Sequence, residues 1–304
     1  MATAAVPHDD IEDRARQVRT TIRFVDPGDF VTRRYVSAGR EMNTGTYSDH
    51  EVTVRDGMPI REHFELDVHG FTIARAPSAV RDFHDKAQVE RLYEAEVEQA
   101  VKRLTGADQV VARGWMIRTS ADLSARAAQK VEGYQHRGGI QPPAGEAHVD
   151  VNTPTARMMA ENTYREHFPD GPGYKRFLVS SFWRTFSPPP QDVPLALCDG
   201  RTSFGAEEKS NTLFIVDEFP SEAEAEAPVA GEDKLLAATI FSHNPAMRWW
   251  YFSNMQADDV LLFKFHDSDH ARTWRCPHTA FVDTSFPGAR IRESIECRSV
   301  AFWE

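Results

Sequence analysis

The sequence predicts a mainly β protein, a jelly roll with flanking α-helices. Ten short apolar runs have the length and composition of strands, whereas only two segments have helical spacing. The strand-like runs cover residues 110–117, 147–151, 177–186, 195–198, 213–216, 235–241, 249–252, 260–265, 279–282 and 294–302. The sequence contains no internal repeat and no Gly-rich phosphate loop. So many strands with so few helices favour a closed or two-sheet β architecture.

Two segments predict helices. Apolar residues recur at helical spacing over residues 86–104, and Gly106 follows where a C-terminal cap is expected. A second helix is predicted from Thr153, a capping residue followed by Pro154 at the first helical position, towards residue 168. Upstream of both, residues 51–74 alternate strand-like runs with turn signals, which predicts hairpins there.

The length of the chain, 304 residues, allows one sizeable core, so a single domain is expected. The first forty or so residues are polar and irregular, with one apolar-alternating piece at residues 21–25. We therefore divide the chain into an N-terminal arm over residues 1–45, packed on the domain, and one domain over residues 46–304.

The charge balance is acidic, with 46 acidic against 35 basic residues and a net charge of −11. The longest run of one sign, residues 221–226, is also acidic and is typical of a solvated loop. A phosphate backbone or an anionic lipid surface would be repelled by this chain. Nucleic acid and membrane partners are therefore not expected.

The cysteines indicate the compartment. Cys198, Cys276 and Cys297 are widely spaced and form no CxxC pair, which fits a reducing environment. The N-terminal residues have neither the basic flank nor the apolar stretch of a signal peptide, and no later segment approaches a membrane span. The sequence thus predicts a cytoplasmic protein.

The triplet His148-Val149-Asp150 is the main candidate for chemistry. In a strand, residues i and i+2 project from the same face, so this triplet can offer an imidazole and a carboxylate together. These are two of the three ligands of a non-haem iron(II) site, which needs two imidazoles and one carboxylate on one side and leaves three positions open. The pattern alone is weak, because His-x-Asp/Glu also occurs at residues 8–10 and 63–65.

The surroundings distinguish these three triplets. The first lies in the irregular arm. The second belongs to residues 60–66, whose alternation predicts a half-exposed strand with His63 and Glu65 on the outer face. His148 instead lies in a strand-like run that is followed by a capped helix, with enough chain after it to close a barrel.

The third ligand is predicted to be His278. An apolar strand at residues 260–265 is followed by a loop and then by this histidine, which enters another strand and would return the chain to the mouth of the barrel. The competitors are His243, His266 and His270, and the last two lie in a charged turn that is more naturally exposed. Each of these histidines, taken singly, is more often structural than a ligand.

Arg292 and Ser294 are the candidates for holding 2-oxoglutarate. This cosubstrate chelates iron through its 2-oxo acid end and leaves a second carboxylate, which a buried guanidinium can hold with help from a neighbouring hydroxyl. The pair lies on one face of the last predicted strand, fourteen positions after His278. Arg184 and Arg298 are weaker candidates for the same contact. Their alternative role is structural, for Arg298 as a partner of Glu296 or Glu293.

The order of motifs in the second half of the chain resembles a known family. The motifs are the His-x-Asp triplet, Trp183-Arg184, residues 194–199 (PLALCD), 250–252 (WYF), 258–264 (DDVLLFK), 277–281 (PHTAF) and 292–298 (RESIECR). The family includes fungal gibberellin desaturase-like proteins, AsaB-type hydroxylase/desaturases, the NvfI endoperoxide-forming enzyme and the CmcJ protein. The resemblance extends from about residue 113 to the C-terminus, and its most specific stretches are 260–264 and 277–298.

The resemblance implies a double-stranded β-helix that uses Fe(II), 2-oxoglutarate and dioxygen. Its metal ligands would be His148, Asp150 and His278, and Arg292 with Ser294 would serve the cosubstrate. The implied reaction is hydroxylation, desaturation or oxidative cyclisation at an unactivated C–H bond of a small molecule of secondary metabolism. A homodimer is a further option for the assembly of the protein. The alternatives are an iron oxidase that does not use 2-oxoglutarate, and a metal-binding accessory partner without turnover of its own.

Overall fold

The computed structural model of the protein describes residues 11–37, 40–121 and 140–304. Its helices of α type are α1 (Leu66–His69), α2 (Lys86–Thr105), α3 (Thr153–His167) and α4 (Glu222–Glu226). Its strands are β1 (Gln17–Val25), β2 (Arg33–Ser37), β3 (Arg40–Asn43), β4 (Tyr47–Asp56), β5 (Phe71–Arg75), β6 (Gln109–Thr119), β7 (Ile140–Gln141), β8 (His148–Val149), β9 (Arg176–Thr185), β10 (Leu195–Cys198), β11 (Glu208–Ile215), β12 (Ala237–Phe241), β13 (Trp249–Tyr251), β14 (Asp259–Asp267), β15 (His278–Ala280) and β16 (Glu293–Trp303).

Two sheets face each other across the main core. The ten-stranded sheet has the order β1-β4-β13-β10-β15-β8-β12-β11-β2-β3, and the six-stranded sheet has the order β5-β14-β9-β16-β6-β7. Apolar side chains from both sheets fill the space between them, among them Val149 and Trp250 from the larger sheet and Trp183 and Phe263 from the smaller one. The predicted mainly β class is confirmed, and the burial of these inner faces stabilises the sandwich.

The helix α2 covers the outer face of the six-stranded sheet. Val89, Tyr93 and Val97 are fully buried and pack on side chains from that face of the sheet. Asp85 caps the first turn by accepting a hydrogen bond from the backbone N–H of Gln88 at 3.1 Å. The predicted helix is confirmed to within one residue. In the described part of the chain no helix combines the length and apolar character that crossing a membrane requires.

The helix α3 begins directly after β8 and is capped one residue earlier than predicted. The side chain of Asn152, and not that of Thr153, accepts a hydrogen bond from the backbone N–H of Thr155 at 2.9 Å. Pro154 occupies the first turn, where its missing N–H costs no hydrogen bond. The strand predicted over residues 147–151 is limited to His148 and Val149, so Asp150 lies in the short connection between β8 and α3.

The N-terminal segment contributes strands to the larger sheet. β1 pairs antiparallel with β4, and β2 pairs parallel with β11. The division between an arm over residues 1–45 and a domain over residues 46–304 stays a prediction. The prediction of a half-exposed strand over residues 60–66 is wrong, because Met58–His63 form a 3-10 helix with a proline in its first turn and α1 begins at Leu66.

Gly70 closes α1 and lies against the segment that leads to β15. Its φ is +88°, and a Cβ added there would lie 2.8 Å from the backbone oxygen of Arg275. Gly106, which caps α2, also has positive φ (+69°), but a Cβ there would meet nothing within 4 Å. Gly70→Ala is therefore expected to destabilise the protein by more than the about 1–2 kcal/mol of the left-handed backbone alone. Urea unfolding should show a smaller loss for Gly106→Ala, and equal losses would contradict the proposed clash.

Candidate metal centre

His148 and His278 are brought together by strand pairing. β8 and β15 are antiparallel neighbours, and these two histidines are direct cross-strand partners. Side chains at such positions project from the same face of a sheet. The two ring centroids are accordingly 4.4 Å apart, and both side chains are largely buried, with 12% and 6% exposed.

Backbone carbonyls fix the orientation of both rings. His148 Nδ1 lies 2.8 Å from the carbonyl oxygen of Glu146, and His278 Nδ1 lies 3.1 Å from that of Cys276. Because a carbonyl oxygen only accepts, each Nδ1 carries the hydrogen and donates it. Each Nε2 therefore offers a lone pair, which is the arrangement that outer hydrogen bonds impose on metal-binding histidines.

Asp150 supplies the third donor atom. Its Oδ1 lies 3.3 Å from His148 Nε2 and 3.3 Å from His278 Nε2. Adjacent ligand atoms on an octahedral metal with bonds of about 2.1 Å are about 3 Å apart. Three lone-pair donors this close repel one another unless a proton or a cation lies between them. The donor set and its spacing thus fit a divalent transition metal.

The local charges keep Asp150 ionised. Burial raises the pKa of this carboxyl, but the Arg298 guanidinium and the two imidazoles outweigh burial and hold the pKa well below its usual range. For His278, burial and the neighbouring His148 lower the pKa, so its ring is neutral at pH 7. For His148, burial also lowers the pKa, but the Asp150 carboxylate outweighs this effect and raises it.

Arg292 is a buried cation that forms no direct ion pair with any of the residues that the structure describes. Its side chain is among the largest fully buried ones, and Nη1 donates to the carbonyl oxygen of Val193 at 2.7 Å. Its Nε is buried and has no hydrogen-bond partner in the described part of the chain. Burial, together with the positive charge of Arg118, lowers the pKa of Arg292 to about 9. A carboxylate bound here would compensate a charge that is otherwise costly to bury.

Arg184 and Ser294, two other residues predicted to bind the cosubstrate, lie in different surroundings. Arg184 pairs with Ile295 in the sheet register and faces α2, where its Nε donates to the hydroxyl of Tyr93 at 3.2 Å. This position gives no support to a contact with a ligand at the metal centre. Ser294 is fully buried, and its Oγ lies 3.5 Å from the carbonyl oxygen of Arg118. Its role stays a prediction.

Two charged residues at the site were missed by the sequence analysis. Glu296 and Arg118 line the same cavity as His148, Asp150 and Arg292. Glu296 could have been found from the alternation of β16, because it shares a face with Arg298. Arg118 could not, since it comes from β6, and only the pairing of β6 with β16 brings it there.

Apolar residues form much of the rest of the cavity wall. Trp183, Leu195, Phe263 and Ala280 line it together with the charged residues. Phe263 also packs edge-on against His278, with ring centroids 4.8 Å apart. A wall of this kind limits the access of water to the metal ligands and strengthens the charge interactions beside them.

His63 belongs to a second group of side chains that could ligate a metal. The carboxylate in this group is already paired with arginines. Glu12, His63 and His69 hold donor atoms within 4.8 Å of one another. The Glu12 carboxylate, however, accepts a hydrogen bond from Arg248 at 2.8 Å and lies 3.5 Å from Arg201.

His69 also argues against a metal in this second group. Its Nδ1 accepts from the backbone N–H of Glu65, so in the neutral ring Nε2 carries the hydrogen and has no free lone pair. The remaining His-x-Asp/Glu triplet, at residues 8–10, lies outside the described residues.

The competing histidines have other partners. His243 stacks on His50 with centroids 4.2 Å apart. His270 is exposed and stacks on Trp274. The prediction of an exposed turn is wrong for His266, which is buried within β14 because that strand extends to residue 267.

Comparison with known protein families gives a match over most of this chain. A family model described as an oxidoreductase/YMDC permease-like domain matches residues 23–302. It therefore includes most of the N-terminal third, which the sequence resemblance did not reach.

Individual relatives cover most of the chain. The Fe(II)/2-oxoglutarate-dependent dioxygenase nvfI of Aspergillus novofumigatus is 29% identical over 272 residues, which is 87% of this chain and 87% of the relative. The hydroxylase/desaturase efuI of Hormonema carpetanum is 28% identical over 264 residues, 85% of each chain. A solved structure of the iron and alpha-ketoglutarate-dependent endoperoxidase NvfI superposes with a TM-score of 0.72 at 25% identity and covers 95% of this chain and 99% of that one.

Proposed function

Because this chain belongs to the family described as an oxidoreductase/YMDC permease-like domain, we propose that it is an Fe(II)/2-oxoglutarate-dependent dioxygenase with His148, Asp150 and His278 as iron ligands. A relative of that activity aligns with 87% of the chain, so the resemblance noted in the sequence and the assignment to this enzyme class are confirmed. The observation that carries the ligand assignment is the convergence of one carboxylate oxygen and two Nε2 lone pairs at 3.3 Å.

We assign Arg292 to the second carboxylate of 2-oxoglutarate. This guanidinium lies in the wall of the cavity that holds the three ligands, and it has donors left over after its bond to Val193. A bidentate pair with a carboxylate would satisfy those donors and orient the cosubstrate with its 2-oxo acid end towards the metal.

Bound iron and 2-oxoglutarate together supply the chemistry, in which dioxygen is activated at the expense of oxidative decarboxylation. The chain itself does three things. Its two histidines and Asp150 would hold the metal, and a site with three protein ligands would leave positions for the cosubstrate and dioxygen. Arg292 positions the cosubstrate, and Trp183, Leu195 and Phe263 keep water away from the reacting groups.

We propose a small-molecule substrate of secondary metabolism, oxidised at an unactivated C–H bond by hydroxylation, desaturation or oxidative cyclisation. The names of the relatives include both hydroxylase/desaturase and endoperoxidase activities, which supports a family with variable outcomes. A cytoplasmic location and a homodimer remain part of the proposal, as does the absence of nucleic acid and membrane partners.

The cosubstrate assignment is tested by anaerobic titration of the Fe(II)-loaded protein with 2-oxoglutarate. The weak visible charge-transfer band of the iron complex reports binding. Arg292→Met is expected to weaken 2-oxoglutarate binding roughly 30-fold or more, since a lost partner of a buried charge pair costs about 2–5 kcal/mol.

The matched control for this titration is Arg184→Met. That arginine is equally buried but faces α2, so its loss should lower stability without changing the dissociation constant of 2-oxoglutarate. If the wild type binds iron and shows no band, the oxidase that does not use 2-oxoglutarate replaces the proposal. If only Arg184→Met weakens the band, the cosubstrate site has been placed on the wrong arginine.

A further inference from the structure

The two oxygens of Asp150 have different partners. Oδ1 faces the two histidine Nε2 atoms at 3.3 Å, whereas Oδ2 accepts a hydrogen bond from Arg298 Nη2 at 2.5 Å. One oxygen is therefore directed at the metal position and the other away from it. A carboxylate held in this way is set for coordination through a single oxygen.

Arg298 reaches Asp150 because of the alternation of β16. Val300 and Phe302, on the same side of the strand, belong to the core between the sheets, whereas Ile295 and Cys297 face α2. The side chain of Arg298 thus crosses from the six-stranded sheet towards β8 in the ten-stranded one, between sheets whose apolar filling keeps it 80% buried.

A second carboxylate holds Arg298 from the other side. Glu296 Oε1 lies 3.6 Å from Arg298 Nη2, and the same carboxylate makes two hydrogen bonds with Arg118, at 3.1 Å and 3.3 Å. The four side chains form a row of alternating charge, Arg118, Glu296, Arg298 and Asp150. Because the row contains two cations and two anions, its charges compensate one another inside the protein.

We propose that Arg298 is a positioning residue that restricts Asp150 to coordination through Oδ1, an inference that rests on the proposed function. Without the hydrogen bond to Oδ2, the carboxylate could rotate and chelate the metal with both oxygens. That mode would occupy one of the three positions that the cosubstrate and dioxygen need. The second carboxylate, Glu296, in turn keeps the guanidinium in place.

Co(II) is a suitable probe, because its visible absorption reports coordination number without turnover or cosubstrate. Arg298→Met removes the donor and keeps the length of the side chain. We expect it to bind Co(II) roughly 10–100-fold more weakly, as losses of outer hydrogen bonds to metal ligands do, and with an altered absorption spectrum. Arg298→Lys, which keeps one charged donor, should restore part of the affinity and the wild-type spectrum.

The control for loss of a positive charge is Arg113→Met. This arginine lies on β6 with an exposed ion pair to Glu166, and its loss should leave Co(II) binding and the spectrum unchanged. If Arg298→Met unfolds, the Co(II) affinity of Arg298→Lys decides the matter. An affinity below that of the wild type, with the wild-type spectrum, supports the inference, and an affinity equal to that of the wild type counts against it.

The possible outcomes distinguish a failure of the proposed metal centre from a failure of the role proposed for Arg298. Wild-type protein that binds no Co(II) overturns the metal centre itself, and the role of Arg298 with it. Wild-type protein that binds Co(II), together with an Arg298→Met variant of the same affinity and spectrum but lower melting temperature, leaves the metal centre standing. In that case Arg298 is only a structural ion-pair partner, and the inference is overturned.

Discussion

Replacing His278 by alanine is expected to abolish stoichiometric Fe(II) binding and consumption of 2-oxoglutarate. The variant would keep only His148 and Asp150, and two donors do not hold Fe(II) in a site with three open positions. Metal content after anaerobic loading measures the first effect. The second readout is the melting temperature with and without metal, because a metal that binds only the folded state raises it. The wild type should show this rise and the variant should not.

Packing has to be distinguished from ligation at this position. The ring of His278 lies against Phe263 and Phe265, with centroids 4.8 Å and 5.5 Å apart, so alanine also leaves a cavity. His278→Gln fills much of that space and should still fail to bind iron. His270→Ala, which removes an exposed histidine from the same part of the chain, should bind iron as the wild type does. Full iron loading of His278→Gln would contradict the assignment.

Replacing Asp267 by asparagine is expected to lower the free energy of unfolding by about 3–5 kcal/mol, because it leaves buried cations without their partner. Lys264 is fully buried and donates to Asp267 Oδ2 at 2.7 Å. Arg176 donates to both oxygens of the same carboxylate, at 2.9 Å and 2.6 Å. Among the described residues, only Asp67 would remain as an anionic partner for both. Urea unfolding followed by fluorescence measures the loss.

The effect of Asp267 on stability depends on pH in a defined direction. Burial raises its pKa, but the hydrogen bonds and charges of Arg176 and Lys264 outweigh burial and lower it. A lowered pKa contributes stability above the pKa of the unfolded chain, about 3.9 for Asp, and this contribution is lost as pH falls through the folded value. The wild type should therefore lose stability below about pH 4 more steeply than Asp267→Asn does.

Asp269→Asn is the matched control for the charge cluster. That carboxylate pairs with Arg272 at the surface and contributes little, so its loss should leave the unfolding midpoint nearly unchanged.

The cluster around Asp267 also bears on function. The backbone of Lys264 accepts from the N–H of Cys276, two residues before His278, and donates to Gly70. Equal stability of Asp267→Asn and Asp269→Asn would contradict the view that the cluster stabilises the segment leading to His278.

Much of the molecule follows from the sequence because it depends on neighbouring residues. Helical spacing and a capping glycine determine α2, and a capping side chain before proline starts α3. The His-x-Asp spacing predicts that an imidazole and a carboxylate, His148 and Asp150, lie close together, although Asp150 lies just beyond the end of β8. The motifs of the second half identify the enzyme class, which the comparisons confirm, and with it the iron and the cosubstrate.

Only the tertiary structure decided which distant side chains meet. The pairing of β8 with β15 places His278 opposite His148, and that of β16 with β9 turns Arg184 away from the cavity. The contact of Arg298 with Asp150 crosses from one sheet to the other. The physical reason is that local patterns determine the face on which a residue lies, whereas sheet register and the packing of two sheets determine what lies opposite that face.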